Sequence, residues 1–269
     1  MSHKIISEQD FDQLWEQISK TLQTMAGHLT DTEARFLTMA AAIPASRGVI
    51  LEIGSFKGRS TIALAKAAEK AGSAHTGLWA VDPFTSPTET CPDLEVPSSY
   101  PEFCDNLKRA GVADQVEVFQ GFSYDLAPTW KEKIRFLWID GDHTYKGAKT
   151  DFDLFSPFLE DGAIIAFHDT LHSHDGPCRV FANDILLSPN FGECGFSGSI
   201  AWARYHKQPV TDETLIAKKR CLYKKLCKLV AITCLGQEIS GLPKLQYRVL
   251  RLLIPHGNIK HQDWIKAVA

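Results

Sequence analysis

Leu51-Glu52-Ile53-Gly54-Ser55-Phe56-Lys57-Gly58-Arg59-Ser60 is an apolar run that passes straight into a glycine-containing loop and then into a helical segment. Strand, loop and helix in that order make one unit of an α/β sheet, and the chain on either side repeats it. Short apolar runs recur at Val49 to Ile53, Leu78 to Val81, Val116 to Phe119, Arg135 to Ile139 and Ala163 to Phe167, with a late strand at Ser199 to Arg204. Runs this continuous suit strands buried on both faces, as in a parallel sheet covered by helices. Helical segments fall between them: Ser60 to Ala71 closed by Gly72, Tyr100 to Ala110 closed by Gly111, and Tyr145 to Leu159 closed near Gly162. The expected fold is α/β, a doubly wound, mostly parallel sheet over residues 47–206. Helical extensions are expected at 1–46 and 207–269. In the first, helices span Glu8 to Met25 and Asp31 to Ala42; Thr30 and Glu33 form a capping box for the second, which Pro44 ends.

The chain has 269 residues, 44% apolar and 23% charged, which excludes a disordered, collagen-like or disulfide-scaffold protein. Its longest apolar runs, Gly48 to Ile53 and Leu229 to Leu235, fall far short of the ~20 residues a membrane-spanning helix needs. The polar start, Met1 to Gln17, lacks the basic and apolar regions of a secretory signal, so a soluble, cytoplasmic protein is expected. Cys91, Cys104, Cys178, Cys194, Cys221, Cys227 and Cys234 include no C-x-x-C pair and read as reduced packing residues. The net charge of -3 hides an asymmetry: residues 1–203 hold 16 Lys/Arg against 28 Asp/Glu, and residues 204–269 hold 13 against 4. No internal repeat is present.

Glycines at 54 and 58 let a backbone approach a ligand closely, while the helix start and Ser60 offer donors to a carboxylate or phosphate. NAD, FAD and S-adenosylmethionine all use such a loop. The dinucleotide fingerprint G-x-G-x-x-G is absent, and Glu52 at the strand end suits an amino-acid ammonium better than a pyrophosphate, which points to S-adenosylmethionine. Asp82 ends the next strand, where a carboxylate can accept ribose hydroxyls. After the third strand, Gly121, Phe122 and Ser123 stand where an adenine would lie, although an ordinary turn explains them as well. The fourth strand runs into Ile139-Asp140-Gly141-Asp142-His143-Thr144-Tyr145 and the fifth into Phe167-His168-Asp169-Thr170. Ligands of open α/β sheets bind at these carboxyl ends. Asp140, His168 and Asp169 offer two oxygens and a nitrogen to a divalent cation, and His143 places a base three residues from Asp140. His172 and His174 extend the cluster. Thr85 to Pro101, rich in Pro, Ser and Thr, reads as a lid or as a plain surface loop.

The elements L-E-I-G-S-x-x-G-x-S at 51–60, V-D-P-F at 81–84, I-D-G-D-H-T-Y at 139–145 and H-D-T at 168–170 together resemble the class I S-adenosylmethionine-dependent methyltransferases. Within them the chain from Asp31 to Tyr205 is similar to catechol-type and antibiotic-sugar O-methyltransferases. The resemblance implies the Rossmann-like methyltransferase fold. It implies that Glu52, Gly54, Ser55 and Ser60 hold the methionine part of the cofactor, with Phe56 and Gly58 in the same loop. It further implies Asp82 on the ribose, Gly121, Phe122 and Ser123 at the adenine, and Asp140 facing the cofactor. Asp140, His168 and Asp169 fall where these enzymes hold magnesium, and His143 where they hold a general base. Phe56 replaces the middle glycine of the usual loop. His168 stands where an acidic ligand is usual, which suggests weaker magnesium binding, a softer ion such as manganese, or loss of the metal.

The expected reaction moves a sulfonium methyl group to a hydroxyl oxygen, with His143 and Asp140 as the catalytic pair. The resemblance implies a small molecule or glycan as acceptor, and the acidic core offers no cradle to nucleic acid. Two alternatives stay open: a dinucleotide-dependent oxidoreductase, and a non-catalytic cofactor-binding protein whose metal site has decayed. Residues 211–235, with six basic side chains between Lys218 and Lys228 among aliphatic ones, either lie on an anionic membrane or pack on the core. The terminal helices are natural surfaces for a homodimer.

Overall fold

A computed structural model describes residues 6–70, 77–85, 97–172, 174–233 and 240–269. Most of the expected lid and the Gly72 closure lie outside them, as do Cys91 and Cys234. The described chain runs α1 (Glu8–Leu22), α2 (Asp31–Ala42), β1 (Val49–Ile53), α3 (Arg59–Lys70), β2 (Leu78–Asp82), α4 (Tyr100–Ala110), β3 (Val116–Gln120), α5 (Ser123–Leu126), β4 (Ile134–Ile139), α6 (Tyr145–Phe155) and β5 (Leu159–Phe167). It continues through α7 (Gly176–Val180), which widens into a π-helical stretch at Phe181–Leu186, then β6 (Phe191–Ser197), β7 (Ile200–Tyr205), α8 (Glu213–Thr233), α9 (Gly241–Leu252) and α10 (His261–Val268).

The strands form one sheet in the order β3-β2-β1-β4-β5-β7-β6. β1 and β4 lie at its centre and are buried along their whole length, which is why their sequences carry no polar alternation. Pairing is parallel from β3 to β5, and β7 runs antiparallel to both β5 and β6. The strand order reverses between β1 and β4, and that switch point opens a crevice at the carboxyl ends. Backbone bonds continue past the strands there: Asp140 N donates to Ile53 O at 2.7 Å and His168 N to Ile139 O at 3.0 Å. Gly54, Asp140 and His168 thus stand side by side on one edge.

β6 was not expected. Its sequence, Phe-Gly-Glu-Cys-Gly-Phe-Ser, holds two glycines and reads as loop, yet hairpin pairing with β7 across Gly198, whose φ is 63°, makes it the edge strand. The fifth strand begins at Leu159 rather than Ala163, so the preceding helix ends at Phe155. Two apolar layers cover the sheet. One holds Phe11, Phe36 and Leu37 of α1 and α2 with Trp138, Trp202 and Trp264. The other holds Phe152 and Phe155 of α6, Phe181, and Leu222, Leu226 and Leu229 of α8. The amino-terminal helices therefore spend their apolar faces inside the molecule, and α8 does the same. No helix among the described residues is long and apolar enough to cross a membrane.

Candidate functional site

A cavity of about 700 Å³ opens at the switch point, lined among others by Gly54, Phe56, Asp82, Phe122, Ser123 and Asp140. Seven of the expected cofactor residues, counting Gly121, share this one space. Gly54 is required by geometry: its φ is 89°, and a Cβ there would come within 2.1 Å of the Asp140 carbonyl oxygen. Phe56 follows with φ 47° and turns its exposed ring into the cavity mouth.

Glu52, Ser55, Gly58 and Ser60 do not line the cavity; they brace the loop that does. Glu52 is buried beneath it, and its Oε2 accepts from the Ser55 hydroxyl at 2.9 Å and from the Thr61 hydroxyl. Burial, only partly offset by the bonds from Ser60, Thr61 and Ser55, pushes the Glu52 carboxyl up to about 7. Gly58 gives room to Phe103 of α4, whose ring would lie 3.0 Å from an added Cβ. The loop's backbone donors, expected to point at a ligand, point at Asp82 instead: Ser55 N and Phe56 N each donate to its Oδ2 at 2.8 Å. Its Oδ1 accepts from Phe84 N at 2.5 Å, so Asp82 anchors the glycine loop, faces the cavity and keeps one lone-pair site on Oδ1 for a ligand hydroxyl.

Sequence reasoning missed the wall supplied by α6 and the loop before it: Asp142, Lys146, Gly147, Thr150 and Asp151. Asp151 shares the buried face of α6 with Ala148, Phe152 and Phe155. A carboxylate at helical spacing within that apolar stripe was the available signal. It accepts the Ser123 hydroxyl, and burial, reinforced by the Asp142 charge, pushes it up to about 7.

Beyond Asp140 lies a buried cluster of acids and imidazoles. His168 Nδ1 is 2.9 Å from Asp140 Oδ1, and His143 Nε2 lies 3.4 Å from the same oxygen and 3.8 Å from Asp169 Oδ2. Asp169, at φ 49°, places its Oδ1 3.1 Å from Ser199 Oγ. Glu33 completes the group. Its Oε2 closes the expected capping box with Thr30 and lies 3.6 Å from His168 Nε2, while its Oε1 accepts from Ser199 N and Oγ, each at 2.7 Å. Burial works against charge on Glu33, Asp140, His143 and His168, but the pairing outweighs it. His143 and His168 are held above the usual imidazole range, and Asp140 and Glu33 below the usual carboxylate range. The His143, His174 and His172 rings stack in sequence, with centroids 5.1 and 5.6 Å apart.

Asp140, His143 and His168 each present a ligand atom within 4.8 Å of the others, which makes them the candidate cation site among the described residues. His143 takes the place expected of Asp169 in this set. One oxygen and two nitrogens suit manganese or a softer ion better than magnesium. His143 Nε2, which faces Asp140 and Asp169 across 3.4 and 3.8 Å, is the nitrogen turned toward this group.

Residues 51–170 match the family model of a methyltransferase domain. Among solved structures, the cofactor-bound Rv0187 of MTB superposes with a TM-score of 0.54 at 19% identity, over 73% of this chain and 91% of that one. An O-methyltransferase from Bacillus cereus in complex with SAH gives 0.52 at 20% identity, over 72% and 91%. TomG from Streptomyces achromogenes, an O-methyltransferase of tomaymycin synthesis in complex with SAM, gives 0.52 at 17%, over 72% and 90%. At these identities the likeness is one of fold.

Proposed function

We propose that this chain, whose residues 51–170 match the model of a methyltransferase domain, transfers the methyl group of S-adenosylmethionine to a hydroxyl oxygen of a small molecule or glycan. One observation carries the reading. Asp140 belongs both to the cavity beside Gly54 and Asp82 and to the cluster of His143 and His168, so ligand pocket and proton-handling groups meet at a single carboxylate. The oxidoreductase alternative lacks the third glycine of its fingerprint.

Bound S-adenosylmethionine would supply an electrophilic methyl carbon, whose bond to sulfur breaks with its electron pair as the acceptor oxygen attacks. The chain's part is orientation and proton removal. Gly54 and the loop held by Asp82 set the floor of the cavity, and Phe56 and Phe122 cover its mouth. The deprotonated form of His143 takes the acceptor proton at Nε2, and the Asp140 carboxylate, which holds His143 above the usual imidazole range, stabilises the resulting imidazolium. A divalent ion held by Asp140, His143 and His168 would lower the acceptor's pKa, but it would occupy the same Nε2. The base and ligand roles of His143 therefore exclude each other. We assign the catalytic unit to 47–206 and the flanking helices, 1–46 and 207–269, to supporting it. Reduced Cys104, Cys178, Cys194, Cys221 and Cys227 support a cytoplasmic setting.

Calorimetric titration with S-adenosylhomocysteine, with NADH as control, tests the cofactor. Micromolar binding of the first alone is expected; heat from NADH only would overturn the assignment. Methyl transfer to a panel of hydroxylated acceptors, measured with and without exhaustive chelation, then decides between the two roles of His143.

A further inference from the structure

We propose that α9 is a docking surface for an anionic membrane. Ten large hydrophobic side chains are exposed among the described residues, and the cavity accounts for Phe56, Phe122 and Tyr124. Five of the others sit on α9 and its end: Leu242, Leu245, Val249, Leu252 and Leu253, at 67, 58, 53, 76 and 56% exposure. The spacing 242, 245, 249, 252 sets four of them on one helical face, opposite the buried Tyr247. That face points away from the core and is uncovered by any described element.

The basic residues decide the partner. Lys244 and Arg248, both exposed, line one flank of the apolar stripe, within a terminal segment, 204–269, that holds 13 Lys/Arg against 4 Asp/Glu. An apolar stripe with cations beside it suits the boundary between acyl chains and anionic headgroups, where the stripe sinks in and the cations stay at the phosphates. A second copy of this chain would bring the same cations against themselves. Of the two readings of residues 211–235, α8 follows the one that packs on the core: it buries Leu222, Leu226 and Leu229, so it adds lysines to the surface but no apolar face. The two helices are tied together, Lys225 Nζ donating to Leu253 O at 2.7 Å. α9 is also tied to the site, since the Tyr247 hydroxyl donates to the His172 carbonyl at 2.6 Å. A docked α9 thus sets the histidine side of the site near the lipid.

Flotation of the full-length protein with vesicles of phosphatidylcholine alone, and of phosphatidylcholine with phosphatidylglycerol, tests this without any assay of methyl transfer. Flotation with the anionic vesicles only is expected, weakened by high salt. The double variant Leu245→Glu/Leu252→Glu should lose about 100-fold or more in partitioning while keeping its thermal midpoint and S-adenosylhomocysteine affinity. Wild type that stays in the buffer, or a double variant that floats as well as wild type, overturns the proposal. So does a wild-type dimer in sedimentation velocity that the double variant dissociates, because the face then belongs to a second copy.

Discussion

Asp151→Asn should make this protein more stable, by an amount that grows as pH rises from about 4 to 7. The carboxyl is buried on α6, accepts the Ser123 hydroxyl, and is pushed by burial from the ordinary 3.8 to about 7. Between those values the native state holds a proton that the unfolded chain has released. Native stability therefore falls as pH rises through that window and stays low above it. A separation of about three pH units at 1.36 kcal/mol each sets an upper bound of about 4 kcal/mol. Asparagine keeps the shape and the carbonyl acceptor for Ser123 and does not ionise. The variant should match wild type near pH 4 and exceed it by up to about 4 kcal/mol at pH 8. That corresponds to roughly 8–16 °C in thermal midpoint for a chain of this size. Ligand-free thermal unfolding of both proteins at several values between pH 4 and 8 measures the difference directly. A difference that does not change with pH, or a variant less stable than wild type at pH 8, would refute the assignment of a proton to Asp151.

Asp82→Ala leaves the Ser55 and Phe56 amides without their acceptor and removes the carboxylate from the cavity; S-adenosylhomocysteine affinity should fall by roughly 100-fold or more by calorimetry. An affinity within threefold of wild type would remove Asp82 from the site. Gly54→Ala forces a left-handed backbone and a 2.1 Å approach to Asp140 O, a cost of roughly 3–5 kcal/mol that chemical denaturation should detect. His143→Ala should cut turnover by roughly 100-fold to 10,000-fold with cofactor binding intact, and unchanged turnover would exclude it as base or ligand. Glu33→Ala strips Ser199 and Thr30 of a shared acceptor and leaves His168 with one carboxylate fewer; a loss of about 3–5 kcal/mol in unfolding free energy is expected, and a loss below about 1 kcal/mol would contradict the network.

The parallel sheet was legible because its central strands are buried on both faces, so Val49 to Ile53 and Ile134 to Ile139 are written almost wholly in apolar residues. Gly54 was legible because a tight approach tolerates no other residue there. Local spacing also showed the Thr30 and Glu33 capping box, since its partners lie three residues apart. What the second oxygen of Glu33 does was decided only by tertiary structure, because Ser199 and His168 reach it from β-strand ends more than a hundred residues away. The same holds for Asp82, whose partners at 55 and 56 are brought to it by the pairing of β1 with β2. Which basic helix faces outward was likewise not local information. α8 and α9 both carry lysines, arginines and leucines, and packing alone determines that the leucines of α8 are covered while those of α9 are left on the surface.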